Sequence, residues 1–338
     1  MRRLPLLLAL MAAPLQAQSP SKADAPPLGV LFGPWHLPSD EYGTYPATGA
    51  YLGWQTVASA RSPAEFMEQL REAKGARLSI FVNLVPRKAA PYGGPDLTSY
   101  LKSLQIWKPY AGELQELAED GVVAGIVGAD EPECSSCWRG EAWTDEQMIQ
   151  VAEATEALIP GVPFGFREKP TELTRRSPEL IRMLDFGWWQ DEGPLHPAKA
   201  PKTAAGRLAA EITAAKSLGV SLVTGMNVLD GGDGSSGIPG TYRNASSKEV
   251  NRWQMSPAEV LANGTLFLTA PEACAVVDWR YARNPTMTQF QGATNEQFAA
   301  IASFEDRIKP QLDSLARLAR SMPPRSCRRP GPPEATHH

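Results

Sequence analysis

Eight short apolar runs, each followed by a helix-like stretch or a long loop, constrain this chain more than any other feature. They are LGVLFGPW (28–35), YLGWQTV (51–57), RLSIFVNLV (77–85), GVVAGIVGA (121–129), VPFGF (162–166), LDFGWW (184–189), VSLVTGMNV (220–228) and CAVVDWRY (274–281). Runs that are apolar throughout, rather than at alternate positions, are those of parallel strands covered on both faces. The intervening stretches carry helix-start signals. Ser62-Pro63-Ala64-Glu65 and Ser256-Pro257-Ala258-Glu259 each supply an N-cap hydroxyl, a proline whose missing N–H costs nothing, and a glutamate that reaches back. Thr144 with Gln147 and Thr294 with Gln297 repeat the box, Ser177-Pro178 and Thr203 add caps, and Gly75 and Gly219 are suited to helix ends. Eight such units in about 250 residues predict an α/β chain folded as a single (β/α)8 TIM-type barrel over 26–322. An open doubly wound sheet is the alternative, but no run is followed by a GxGxxG or P-loop turn. Nothing repeats at a fixed period, which removes solenoids and propellers.

The ends of the chain read differently. MRRLPLLLALMAAPLQA, residues 1–17, has two arginines, an apolar stretch and a small residue before a polar segment, the form of a cleaved export signal. No later run is long enough to span a bilayer, so no membrane association is expected after cleavage. The tail 323–338, rich in proline and charge, is expected to be disordered. Losing Arg2 and Arg3 with the leader takes the formal net charge from −4 to −6, which gives no electrostatic footprint for nucleic acid. Of four histidines, His337 and His338 lie in the tail, leaving His36 and His196. That inventory predicts neither a metal centre nor a cofactor. A monomer is expected.

Four cysteines in an exported chain point to disulfides. Cys134–Cys137 as a local clamp and Cys274–Cys327 as a tie from the last strand to the C-terminal segment are favoured. A four-thiolate zinc site would need two isolated cysteines to meet the pair, and a redox-active CxxC remains a further alternative.

In such a barrel, chemistry collects at the carboxyl ends of the strands. Those ends carry Trp35-His36, Asn83, Asp130-Glu131-Pro132-Glu133, Arg167-Glu168, Trp188-Trp189-Gln190-Asp191-Glu192, Asn227 with Asp230, and Asp278-Trp279-Arg280. Carboxylates and amides suit sugar hydroxyls, and indole rings suit the C–H faces of a sugar ring. Adjacent tryptophans on a strand face opposite ways, so at most one of Trp188 and Trp189 lines the cup. Cleaving a glycosidic bond needs two carboxyl groups, one protonated and one ionised. A neighbouring negative charge helps to hold one of them protonated.

Asp130-Glu131-Pro132 at the end of the fourth run resembles the Asn-Glu-Pro signature of (β/α)8 glycoside hydrolases. The resemblance implies an acid/base role for Glu131 and a substrate contact for Asp130. The chain departs from that pattern in having Asp for Asn, and in lacking a glutamate nucleophile on the seventh strand. As a whole it is also similar to exported bacterial proteins, which adds no chemistry. The expectation is therefore a secreted or periplasmic glycoside-hydrolase-like enzyme, with a non-catalytic carbohydrate-binding barrel as the alternative. Glu131 is the expected proton donor, with Asp230, or failing that Asp191, as nucleophile or base. Asp130, Trp35, His36, Arg167, Gln190, Asn227, Trp279 and Arg280 are the expected carbohydrate contacts.

Overall fold

The computed structural model describes residues 27–35, 37, 39–43, 45–53, 62–85, 95–138, 140–194, 203–238, 253–279 and 295–330. The leader, His36, His196, Arg280, Thr294 and the last eight residues lie outside the described residues. Each of the eight apolar runs overlaps a strand: β1 (Leu31–Pro34), β2 (Gly49–Gly53), β3 (Ser79–Asn83), β4 (Val123–Asp130), β5 (Phe164–Arg167), β6 (Phe186–Asp191), β7 (Ser221–Met226) and β8 (Ala273–Asp278). They form one parallel sheet in the order β1-β8-β7-β6-β5-β4-β3-β2. A parallel bridge from Trp35 to Tyr51 brings β1 beside β2 and nearly closes the ring. With helices between the strands, the chain is a single (β/α)8 barrel. The second strand begins ahead of its apolar run, at Gly49, where the β1 and β2 backbones converge. A Cβ on Gly33 would sit 1.9 Å from the Gly49 carbonyl oxygen, so this approach requires glycine.

The helices are α1 (Pro63–Gly75), α2 (Leu97–Leu104), α3 (Ala111–Glu119), α4 (Asp145–Leu158), α5 (Pro170–Leu173), α6 (Pro178–Arg182), α7 (Ala204–Leu218), α8 (Pro257–Thr269) and α9 (Asn295–Ser321). Reciprocal capping boxes start α1, α4 and α8 at Ser62, Thr144 and Ser256, and Ser177 and Thr203 cap α6 and α7. Gly219 ends α7 in the left-handed region at φ 65°. Gly75 does not play that part for α1. It is the last helical residue, and the left-handed position falls on Arg77 at φ 59°. The buried Leu78 sets this, because its N–H returns to the Ala73 carbonyl at 2.9 Å and fixes the turn one residue before it.

Strand alternation divides the core in two. Leu31, Tyr51, Phe81, Val127, Phe186, Trp188, Val223, Ala275 and Val277 fill the barrel interior. Phe32, Ile80, Val82, Phe166, Trp189, Leu222 and Val276 face outward, where Phe66, Leu70, Trp107, Met148, Phe267 and Leu315 from the helical layer meet them. Full burial of each such side chain stabilises the fold by about 1.5–3 kcal/mol before entropy is counted.

The expected disorder from residue 323 does not hold over 323–330. Arg325 donates to the carbonyls of Leu268, Ala270 and Ala273, and Arg329 to those of Arg182, Leu218 and Gly219. All but that of Ala273, which opens β8, lie at or just past the ends of α6, α7 and α8, where main-chain acceptors lack helical partners. Cys327 is joined to Cys274 beneath the barrel, both 4% exposed. The arginines that made the segment look like a solvated tail are its anchors. Among the described residues no helix is long and apolar enough to cross a membrane.

Candidate functional site

Below the mouth, aromatic rings close the barrel interior. Trp35 stacks on Tyr51 with centroids 3.9 Å apart, and Trp188 meets both edge-on at 5.6 and 5.7 Å. Trp189 points the other way and packs on Phe267 outside the sheet, as alternation requires. Of the tryptophan pair, Trp188 is the inner member.

Arg167, at the end of β5, stands on this aromatic layer with its guanidinium carbon 5.0 Å from the centre of the Trp35 ring. It forms an ion pair with Asp130, a second with Glu131 at 3.1 Å, and donates to Gln190 Oε1 at 2.7 Å. A register shift between Val127 and Asp130 sets Asp130 opposite Arg167 across β4 and β5. The carboxylates raise the affinity of the buried guanidinium for its proton against the opposing effect of burial. The structure thus brings together Asp130, Glu131, Arg167, Gln190 and Trp35, all read from strand ends. Glu168, the next residue along, turns away and pairs with Arg176.

The loop after β4 is folded tightly around Glu131. Its backbone lies in the left-handed region at φ 50°, unusual for a glutamate. Its N–H donates to the Arg167 carbonyl at 3.2 Å, and its own carbonyl accepts from Cys134 N at 3.0 Å and Trp138 Nε1 at 2.9 Å. Cys134 and Cys137 are joined in a disulfide. Among the described residues, the side chains spaced to hold a metal ion are Glu131, Cys134 and Cys137, and both sulfurs are used in that bond.

This loop forms one wall of a cavity of about 400 Å³. It is lined by Glu131 and Glu133 of this loop, Arg167, Lys169 and Thr171 at and after the end of β5, Trp188, Gln190, Asp191 and Glu192 at the end of β6, and Arg207 and Glu211 of α7. The carboxyl of Glu133 is pushed up to about 7, chiefly by burial, with the charges of Glu168 and Glu131 adding and Arg167 opposing. Glu133 Oε2 and Gln190 Nε2 are buried and have no hydrogen-bond partner among the described residues. A ligand entering the cavity meets one acidic group and one amide donor not yet engaged. Glu211 is 6% exposed and accepts from the Thr171 main-chain N–H at 3.0 Å and its hydroxyl at 2.8 Å. Burial raises its carboxyl as well.

Of the other acids expected to react, Asp191 lies in the wall of the same cavity and Asp230 does not. Asp191 is 3% exposed, and Arg207 donates to both of its oxygens, at 2.6 and 2.8 Å. Asp230 lies in the turn after β7, 4% exposed and absent from the cavity wall, with its N–H on Asn227 Oδ1 at 3.1 Å. Asn227 therefore organises that turn, and a parallel bridge joins it to Trp279. Glu133 and Glu211 were not among the expected site residues. Glu133 carried a weak signal as the third acid of one strand exit. The signal for Glu211 was a lone acid within the alanine-rich α7.

No family model and no curated protein matches the chain. Among solved structures, it is similar in chain path to a glucosidase from Croceicoccus marinus, with TM-score 0.46 and 12% identity over 86% of this chain and 69% of that one. It is likewise similar to a GH30 endoxylanase from Clostridium papyrosolvens, with TM-score 0.48 and 10% identity over 89% and 74% of the two chains. An endo-beta-1,4-mannanase from Cellulomonas fimi gives TM-score 0.48 and 14% identity over 85% and 70%.

Proposed function

We propose that this protein is an exported, monomeric carbohydrate-active enzyme of glycoside-hydrolase type, working at the mouth of its barrel with a pair of carboxyl groups. The reading rests on one observation: Glu133, raised to about 7, lies in the same cavity wall as Glu131, whose carboxylate is in an ion pair with Arg167. Two carboxyl groups in different electrostatic settings are what cleavage of a glycosidic bond requires. Glu133 hands its proton to the leaving oxygen, and Glu131, in the same wall, acts as nucleophile or base. This exchanges the role expected for Glu131 from its motif, because Glu131 is already engaged in the ion pair with Arg167 while Glu133 is the acid that burial pushes up. Arg207 holds Asp191 as a structural carboxylate, and Asp230 lies in the turn after β7 that Asn227 organises, away from the cavity wall. Trp188, only 2% exposed, closes the floor beneath a bound sugar, while Gln190 and Asp130 hold polar groups around it. The two disulfides suit an oxidising compartment.

A screen of polysaccharides and aryl glycosides, followed by E133Q and E131Q on any substrate cleaved, tests this reading. Each variant is expected to lose at least 100-fold in kcat/KM, on the order of a lost acid–base contribution. Wild-type rates in either variant overturn its assignment. A barrel that binds saccharide without cutting it is the second reading. It is favoured by Arg167, which already engages Asp130, Glu131 and Gln190 and leaves few mouth groups free to react. Oligosaccharide binding by calorimetry with no turnover of any substrate selects it.

A further inference from the structure

We propose that the Cys134–Cys137 disulfide is a thiol–disulfide exchange centre, with Cys134 as the exchanging sulfur and Glu131 as the proton acceptor for Cys137. The inference rests on the geometry of the loop and is independent of the hydrolase reading.

The bond is poorly explained as a staple. It spans a separation of three residues, so closing it removes little chain entropy. The turn is already held by main-chain bonds from Cys134 N to Glu131 O, Cys137 N to Cys134 O and Gly140 N to Ser135 O, at 3.0, 2.9 and 2.7 Å. Trp138 anchors it further through the Glu131 carbonyl. The bond is also reachable. Both of its cysteines are half-buried and the two serines between them are exposed, whereas Cys274 and Cys327 are sealed beneath the barrel.

The surroundings of the two sulfurs differ in the way exchange requires. Cys134 Sγ accepts the Cys137 N–H at 3.2 Å, and the Ser136 hydroxyl stands 3.4 Å from it as a second donor. Donors aimed at a sulfur favour its thiolate, the form that attacks and leaves in exchange. Cys137 Sγ instead lies 3.4 Å from Glu131 Oε2, while Glu131 Oε1 faces Arg167. An acceptor beside one sulfur and donors beside the other separate an exchanging cysteine from a resolving one.

In the reductive direction an external thiolate attacks Cys134 Sγ. The Sγ–Sγ bond breaks, and Cys137 departs as a thiolate that takes a proton from water. A second external thiolate then attacks the external sulfur of the mixed disulfide and releases Cys134 as its thiolate, leaving an external disulfide. The protein pair gains two electrons and the external pair loses two. In the oxidative direction the Cys137 thiol, losing its proton to Glu131 Oε2, attacks Cys134 Sγ of the mixed disulfide. The Cys134–Cys137 bond forms, the bond to the external sulfur breaks, and that sulfur leaves as a thiolate while the proton passes from Glu131 to water.

The test treats the folded, full chain with millimolar dithiothreitol, followed by alkylation and peptide mass mapping. Two thiols per chain are expected, at Cys134 and Cys137, with Cys274–Cys327 intact and circular dichroism unchanged. In the C137S variant, Cys134 is expected to alkylate with an apparent pKa at least about one unit below the ordinary thiol value near 8.5. Oxidation of the reduced protein by an aromatic disulfide is expected to leave E131Q stalled at the mixed disulfide, resolving at least about tenfold more slowly than wild type. Thiols released only on unfolding, or a Cys134 that titrates like a free cysteine, overturn the proposal. Unchanged resolution in E131Q overturns the part given to Glu131. The C137S measurement leaves Glu131 intact and decides the first point by itself.

Discussion

Glu131 is tied to Arg167 twice, by its N–H to the Arg167 carbonyl at 3.2 Å and by its carboxylate to the guanidinium at 3.1 Å. The first bond fixes where the loop after β4 begins and the second fixes where its side chain points. The left-handed backbone of Glu131, which costs about 1–2 kcal/mol for an L-residue, is held in place by this double attachment.

Removing the guanidinium strands two carboxylates at the barrel mouth. Arg167→Ala is expected to lower unfolding free energy by about 2–4 kcal/mol, somewhat less than the ~3–5 kcal/mol of breaking a fully buried pair because both acids are partly exposed. Arg167→Lys restores the charge but not the planar fork, and is expected to recover only part of that loss. Urea titrations of the three proteins check both statements.

Glu133 makes stability fall as pH rises. Its carboxyl titrates at about 7 in the fold against 4.5 in its reference state, so between those values the folded chain holds more protons than the unfolded one. The stabilisation from its protonated form is complete below 4.5, declines as pH rises toward 7, and is gone above it. In E133Q the corresponding segment of a stability–pH curve is expected to flatten. If Glu133 is the acid of a hydrolase, kcat/KM falls over the upper part of the same window.

Asp191 and Arg207 join the end of β6 to α7 through a bidentate pair, both residues nearly inaccessible. Either D191N or R207M alone is expected to cost about 3–5 kcal/mol, since each leaves the other group buried without its partner. Replacing both with apolar residues of similar size is expected to recover at least half of that loss. Chemical denaturation of the double-mutant cycle measures the coupling.

The Cys274–Cys327 bond closes a separation of 53 residues beneath the barrel. Replacing both cysteines with serine is expected to remove about 2–5 kcal/mol, seen as a lower thermal midpoint. The mouth lies at the opposite end of the strands, so saccharide affinity is expected to be unchanged by calorimetry.

The barrel was legible because strands covered on both faces must be apolar throughout, and helix caps use few residue types. LSIFVN and LVTGM declare their strands without any tertiary information, and Ser62, Thr144 and Ser256 start the helices they signal. Arg167, Asp130 and Gln190 could be placed at the mouth for the same reason, since a strand delivers its last residues to a known rim. What could not be read was environment. The proton affinity of Glu133 depends on how residues 132–138 fold over it, and Asp191 is indistinguishable from a reactive acid until α7 brings Arg207 to it. Arg325 and Arg329 misled for a related reason, because a cation that serves helix-end carbonyls has the same composition as one in water.

The C-terminal strap carries a consequence for biosynthesis. Ser221 bonds the Arg328 carbonyl, Cys274 waits for Cys327, and the carbonyls past α7 and α8 wait for Arg329 and Arg325. Every one of these partners is synthesised after all eight strands. A nascent chain can therefore assemble its ring while its underside stays open, and sealing falls to a segment synthesised only after the last strand.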